Sequence, residues 1–184
     1  MEGVPLVGET RALVVGTGEV GRGIAARFHA LGVTVDGVSS GGSAVHPFAR
    51  VFARRHLHDA LRGADWLILA APLTEATFHM IGAEECRAVK GGYLINVGRG
   101  ALVDEAAIIP ALDAGHLRGA ALDVFETEPL PADSPLWKHP KVLVSPHISG
   151  LTSVEGATAG FLHALEALER GERPDTAVDP KRGY

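Results

Sequence analysis

At 184 residues, 46% of them hydrophobic and 21% charged, the chain has the size and composition of about one globular domain with a core of its own. A net charge of −5 gives no basic footprint, which argues against nucleic-acid binding, and no window approaches the roughly 20 apolar residues of a membrane span. Met1–Thr10 lacks the basic start and apolar stretch of a signal peptide, and the single Cys86 cannot close an internal disulfide. The expectation is a cytoplasmic protein with Cys86 as a plain helix-surface or core thiol.

In chain order, the first predicted strand is Arg11–Val15, followed at once by Gly16-Thr17-Gly18-Glu19-Val20-Gly21 and a helix over Val20–Leu31. Strand, glycine turn and helix start stand in the order a dinucleotide site requires. Gly16 makes the tight turn, Gly18 lets backbone approach a pyrophosphate, and Gly21 lets the helix pack on the strand. Free N–H groups at the helix start would meet the phosphate charge.

Strands follow at Thr34–Val38 and Arg50–Ala53, with Ser39–Ser43 between them as a flexible stretch. Next come a helix at Leu57–Arg62, a strand at Trp66–Ala70, a helix at Ala83–Val89 and a strand at Tyr93–Asn96. The pattern closes with a helix at Asp104–Ala114, strands at Ala120–Asp123 and Val142–Val144, a helix at Ser153–Arg170 and an extended tail after Gly171. Short apolar strands alternating with helices predict an α/β doubly wound parallel sheet of Rossmann type. The expected organisation is a single domain over 1–184, with 153–184 forming a C-terminal helix and tail.

Three segments put polar groups just beyond strand ends, where open parallel sheets hold their ligands. They are Asn96–Glu105, Leu122–Pro131 and Ser145–Gly150. Arg99 offers a planar fork to a carboxylate or polarised carbonyl, His147 is a candidate general acid–base, and Glu128 would hold the imidazole ring. Each alone reads equally as an ordinary solvated or structural residue; their convergence downstream of a nucleotide loop points to carbonyl chemistry on an anionic substrate.

Taken together, the glycine loop, Pro72-Leu73-Thr74-Glu75-Ala76-Thr77 and the Arg99, Glu128 and His147 segments resemble, in order and spacing, the dinucleotide-binding domain of the D-isomer-specific 2-hydroxyacid dehydrogenases. The likeness runs from about Val4 to the end. Ser134-Pro135-Leu136-Trp137-Lys138-His139-Pro140 and the ending Val178–Tyr184 further resemble the glyoxylate/hydroxypyruvate reductase branch.

That resemblance implies hydride transfer between a nicotinamide and the 2-carbon of a 2-oxo acid. Arg99 would bind substrate, His147 would give the proton and Glu128 would pair with His147. Asp123 would contact the nicotinamide carboxamide, Val97 and Gly98 the ring, and Pro72 and Thr77 the adenosine-diphosphate side. Gly16, Gly18, Glu19, Val20, Gly21, Ser39, Ser40 and Gly150 complete the cofactor set, which Arg99 and His147 also join. The position that grips ribose hydroxyls in NAD enzymes is Ser39 rather than an acid, which favours NADP over NAD. Asp36 falls within its strand, and Arg50, Arg54 or Arg55 would approach only if the intervening loop folds back.

The resemblance also implies a separate substrate-covering domain, for which Met1–Thr10 leaves no room before the first strand. A catalytically silent dinucleotide-binding module is therefore the alternative expectation, and a purely structural domain would bind no nucleotide. The helix stripe Leu162, Leu165 and Leu168 is expected to drive a homodimer. Trp137 reads as a packing aromatic, and His46, His56, His58, His79, His116, His139 and His163 show no metal-ligand spacing.

Overall fold

The computed structural model describes residues 6–150 and 153–179. They divide into two compact units, 1–147 and 148–184. The first unit is built on seven parallel strands: β1 (Arg11–Val15), β2 (Thr34–Ser39), β3 (Arg50–Ala53), β4 (Trp66–Leu69), β5 (Gly92–Asn96), β6 (Leu117–Leu122) and β7 (Val142–Val144). Their order across the sheet is β3-β2-β1-β4-β5-β6-β7. The strand order reverses between β1 and β4, and that switch point opens a crevice at the carboxyl ends of the strands.

Among the described residues, four α-helices belong to this unit: α1 (Glu19–Ala30), α2 (Leu57–Leu61), α3 (Ala83–Val89) and α4 (Ile108–Asp113). Successive strand residues point to opposite faces, so each strand serves two cores. Leu13, Leu67, Leu69, Leu94, Leu112 and Leu117 join the larger cluster, while Ala12, Val14, Val35 and Ile68 join a smaller one with Ala25 of α1. Trp66 closes the smaller core: it stacks on Tyr93 at 4.9 Å, meets Phe28 edge-on, and donates its indole N–H to Thr10 Oγ1 at 2.9 Å. Cys86 is fully buried in the larger core, where burial pushes its thiol up to about 11.

The elements follow the sequence pattern closely, with shifts at their ends. The helix expected over Asp104–Ala114 opens as a 3-10 turn at Glu105–Ala107 before α4. Pro110 has no N–H to close an α-turn on Ala106, so the first turn winds tighter. Asp104 caps it, Oδ1 accepting from Ala106 N at 3.1 Å. β6 starts at Leu117, earlier than expected, and ends at Leu122, leaving Asp123 just outside the strand.

The second unit carries α5 (Val154–Glu169), capped by Ser153, whose Oγ accepts from Gly156 N at 3.0 Å. Phe161, Leu162, Leu165 and Leu168 are exposed on it. Residues 172–179 form no helix or strand. No helix among the described residues is long and apolar enough to cross a membrane.

Candidate functional site

Strand register aligns the candidate residues along one edge. Val15 pairs with Val38 and Leu69, Leu69 with Asn96, Asn96 with Leu122, and Leu122 with Val144. Each chain segment leaving this row is tied one step further to its neighbour. Gly16 N donates to Val38 O, Ala70 N to Val15 O, Val97 N to Leu69 O, Asp123 N to Asn96 O, and Ser145 N to Leu122 O. The parallel ladder therefore delivers the glycine loop, Pro72, Val97–Arg99, Asp123–Glu128 and Ser145–His147 to one side of the sheet.

The glycine loop has the form its sequence requires. Gly16 has φ +105°, and a Cβ on Gly21 would lie 1.8 Å from Gly16 O, so neither position tolerates a side chain. A Cβ on Gly18 would meet nothing within 4 Å: this backbone faces open space. Glu19 and Val20 follow as exposed residues of the first turn of α1, whose N–H groups have no partner within the helix. Glu19 pairs with Arg22, which neutralises the acid next to that positive helix end. An open glycine, unused donors and a helix dipole fit a dinucleotide pyrophosphate.

At the other end of the edge, Glu128 and His147 are in contact. His147 Nδ1 lies 2.8 Å from Glu128 Oε2, and Glu128 Oε1 accepts from Phe125 N at 3.0 Å. Both carboxylate oxygens are thus engaged, and the hydrogen bond with His147 holds the carboxyl below the usual carboxylate range. His147 has φ +55°, with its N–H donated to Asp123 O at 2.9 Å. Asp123, buried at the end of β6, accepts from Ser145 Oγ at 2.5 Å.

Arg99 is exposed on the adjoining loop. Buried Asn96 shapes that loop from both ends of its amide: Oδ1 accepts from Gly98 N at 3.1 Å and Nδ2 donates to Arg99 O at 3.0 Å. Arg99 Nη1 donates to Gly98 O at 2.7 Å, leaving the rest of its fork for a ligand. A Cβ on Gly100 would fall 1.8 Å from the Phe125 carbonyl carbon, so the Arg99 and Glu128 segments touch backbone to backbone.

The remaining candidates are distributed as follows. Ser39 ends β2 beside the glycine loop and Ser40 is exposed after it. Pro72 and Thr77 close a tight loop: Thr77 Oγ1 donates to Pro72 O at 2.8 Å and accepts from Thr74 N at 2.8 Å. Gly150 falls in the second unit. Trp137 is half-exposed and donates its indole N–H to Pro131 O at 2.9 Å. The sequence singled out neither Asn96 nor Ser145, yet a polar residue closing an apolar strand is a readable signal for both.

One grouping departs from expectation. Residue spacing showed no ligand set among the histidines, but the fold brings ligand atoms of His79, Asp104 and Glu126 within 4.8 Å of one another. They come from three separate loops, which is why spacing concealed them. His79 Nε2 lies 3.1 Å from Glu126 Oε1, which also accepts from Glu105 N at 3.0 Å. Burial, with Glu126 alongside, holds Glu105 above the usual carboxylate range.

Comparison with known proteins identifies the family and the fold. Residues 3–149 match the family described as D-isomer specific 2-hydroxyacid dehydrogenase, NAD binding domain. A Salmonella paratyphi B protein named glyoxylate/hydroxypyruvate reductase A is 36% identical over 172 residues, which are 93% of this chain and 55% of that protein. A Streptomyces coelicolor protein described as uncharacterized is 39% identical, covering 94% of this chain and 63% of its own. The chain therefore spans between about half and two thirds of the length of these curated relatives.

Among solved structures, a Xanthobacter autotrophicus D-isomer specific 2-hydroxyacid dehydrogenase in complex with NADPH superposes with a TM-score of 0.90. It is 37% identical and matches 98% of this chain and 75% of its own. An NADPH-dependent glyoxylate/hydroxypyruvate reductase from Sinorhizobium meliloti, in complex with NADP, gives a TM-score of 0.89 at 30% identity, over 98% of this chain and 58% of that one. The chain belongs to the D-isomer specific 2-hydroxyacid dehydrogenase family, whose NAD-binding domain it carries.

Proposed function

We propose that this chain is the cofactor-holding part of an NADPH-dependent reductase of small 2-oxo acids of the glyoxylate or hydroxypyruvate type. The His147–Glu128 pair, at the same sheet edge as the glycine loop, carries this reading. The first turn of α1 and Gly18 would hold the pyrophosphate, Val97 and Gly98 would line the nicotinamide, and Asp123 would receive its carboxamide. Pro72 and Thr77 would flank the adenosine diphosphate. The bound nicotinamide supplies the hydride to carbon 2 of the oxo acid.

The protein's own work is on the oxygen. A carboxylate at Glu128 fixes the Nδ1 side of His147 as donor and leaves Nε2 to protonate the forming alkoxide. The Arg99 fork meets the substrate carboxylate and the carbonyl oxygen, where negative charge accumulates. Ser39 at the end of β2, where an acid would repel a 2′-phosphate, supports NADP. The NADPH and NADP complexes of the two similar structures support the same choice. Exposed Phe161, Leu162, Leu165 and Leu168 on α5 support a homodimer, and the single buried Cys86 suits the reducing cytoplasm.

His147→Ala tests the role directly. It is expected to abolish NADPH oxidation with glyoxylate or hydroxypyruvate while the dissociation constant for NADPH stays within about twofold. A variant retaining most of its rate rejects the proton-donor role. A second reading is a binding module without turnover. It predicts tight NADPH binding and no turnover in the unmodified chain.

A further inference from the structure

We infer that Arg54, supported by Arg55 and by the Ser39 and Ser40 hydroxyls, forms the 2′-phosphate site that sets a preference for NADPH over NADH. The inference rests on the dinucleotide reading of the glycine loop and adds the residues that discriminate between the two cofactors. Asp36 is the one acid of β2. Asp36 sits three residues before the strand end, buried, with Arg11 at 2.9 Å and Arg50 at 2.7 Å on its carboxylate. It is committed to the strand interior, and Arg50 is committed with it. Neither lies at the carboxyl tip of its strand.

At the edge itself the charge is of the opposite sign. β2 and β3 run in register to their ends, Ser39 paired with Ala53. The chain then makes one exposed 3-10 turn, Arg54-Arg55-His56, immediately beside the tip of β2. The intervening loop folds back onto this corner: a Cβ on Gly42 would come within 2.6 Å of Ala53 N, and Gly42 N donates to Ser39 Oγ at 2.9 Å. Ser39 keeps its hydroxyl proton to donate. The two strand tips therefore form one polar surface carrying two guanidinium groups and no carboxylate of its own.

Arg54 is also aimed. Its Nη1 donates to the carbonyl of Ala76, within the loop that follows β4. In the sheet, β2 and β1 lie between β3 and β4. The Arg54 bond thus joins the segments leaving the strands that flank β2 and β1, the pair that carries the ribose position and the glycine loop. One donor is used on Ala76, and the planar fork has others for a phosphate dianion. A 2′-hydroxyl offers this cluster no charge to bind.

The test is a titration of the unmodified chain and three variants with NADPH and NADH, repeated with 2′-AMP and 5′-AMP as fragment probes. Arg54→Ala is expected to weaken NADPH and 2′-AMP by at least about tenfold, the loss for one or two charge-assisted hydrogen bonds, with NADH and 5′-AMP shifted less than about twofold. Arg54→Gln keeps a donor for Ala76 without the charge and is expected to lose as much NADPH affinity as Arg54→Ala. Arg55→Ala is expected to give a smaller loss of the same kind. Equal weakening of NADPH and NADH makes Arg54 a strut and overturns the inference, as does unchanged NADPH affinity or rescue by Gln. Failure of the unmodified chain to bind either cofactor overturns the dinucleotide reading itself, and the 2′-phosphate site with it.

Discussion

Glu128 lies at the centre of the site's residue-scale chemistry because it holds a backbone amide with one oxygen and an imidazole with the other. That arrangement lowers its pKa, first through the His147 hydrogen bond. A folded pKa below the unfolded one means that the carboxylate contributes stability above the unfolded carboxylate value, about 4.3 for glutamate, and loses it as pH falls through the folded value. The stability difference between the unmodified chain and Glu128→Gln is therefore expected to be present at neutral pH. Thermal melts across an acid series should show it closing as the pH drops below the ordinary carboxylate range; a difference that persists into strong acid contradicts the pairing. Arg99, Glu128 and His147 were legible in the sequence as chemistry-bearing types at strand ends. Asn96 and Ser145 were less visible, since their role is to hold backbone and side chains in place, Asn96 within its own loop and Ser145 across to Asp123.

At the scale of elements, the turn joining β1 to α1 assigns different tasks to glycines that look alike in sequence. Gly21 touches the Gly16 carbonyl, whereas Gly18 faces open space with φ −74°, a value alanine adopts freely. Gly21→Ala is expected to cost about 2 kcal/mol or more through overpacking, lowering Tm by about 4 °C or more. Gly18→Ala should leave Tm within about 2 °C, yet weaken NADPH binding by placing a methyl group where the proposed pyrophosphate site lies. A Gly18→Ala chain with full cofactor affinity argues against this loop as the phosphate cradle. The order of strands and helices was readable because short apolar runs and glycine punctuation agree along the chain. The entry into α4 and the start of β6 were not, since proline geometry fixes the first and pairing of Leu117 with Gly92 of β5 fixes the second. The cluster of His79, Asp104 and Glu126 escaped notice for a related reason: it is assembled by three loops from distant parts of the chain.

Across the whole molecule, one parallel ladder from β3 to β7 brings the glycine loop and the His147–Glu128 pair to a common edge. Arg54 stands beyond β3 and His147 beyond β7, with the glycine loop at the switch point between them. The sheet thus supplies the framework on which the family's activity is proposed to operate, and the chain spans 55% of the length of the reductase A relative. The most direct test of this account is calorimetric titration of the purified chain with NADPH. The prediction is saturable binding at one site per chain, displaced by 2′-AMP. Absence of saturable binding up to about millimolar cofactor contradicts the account, because a folded glycine loop with an open Gly18 would then hold no dinucleotide.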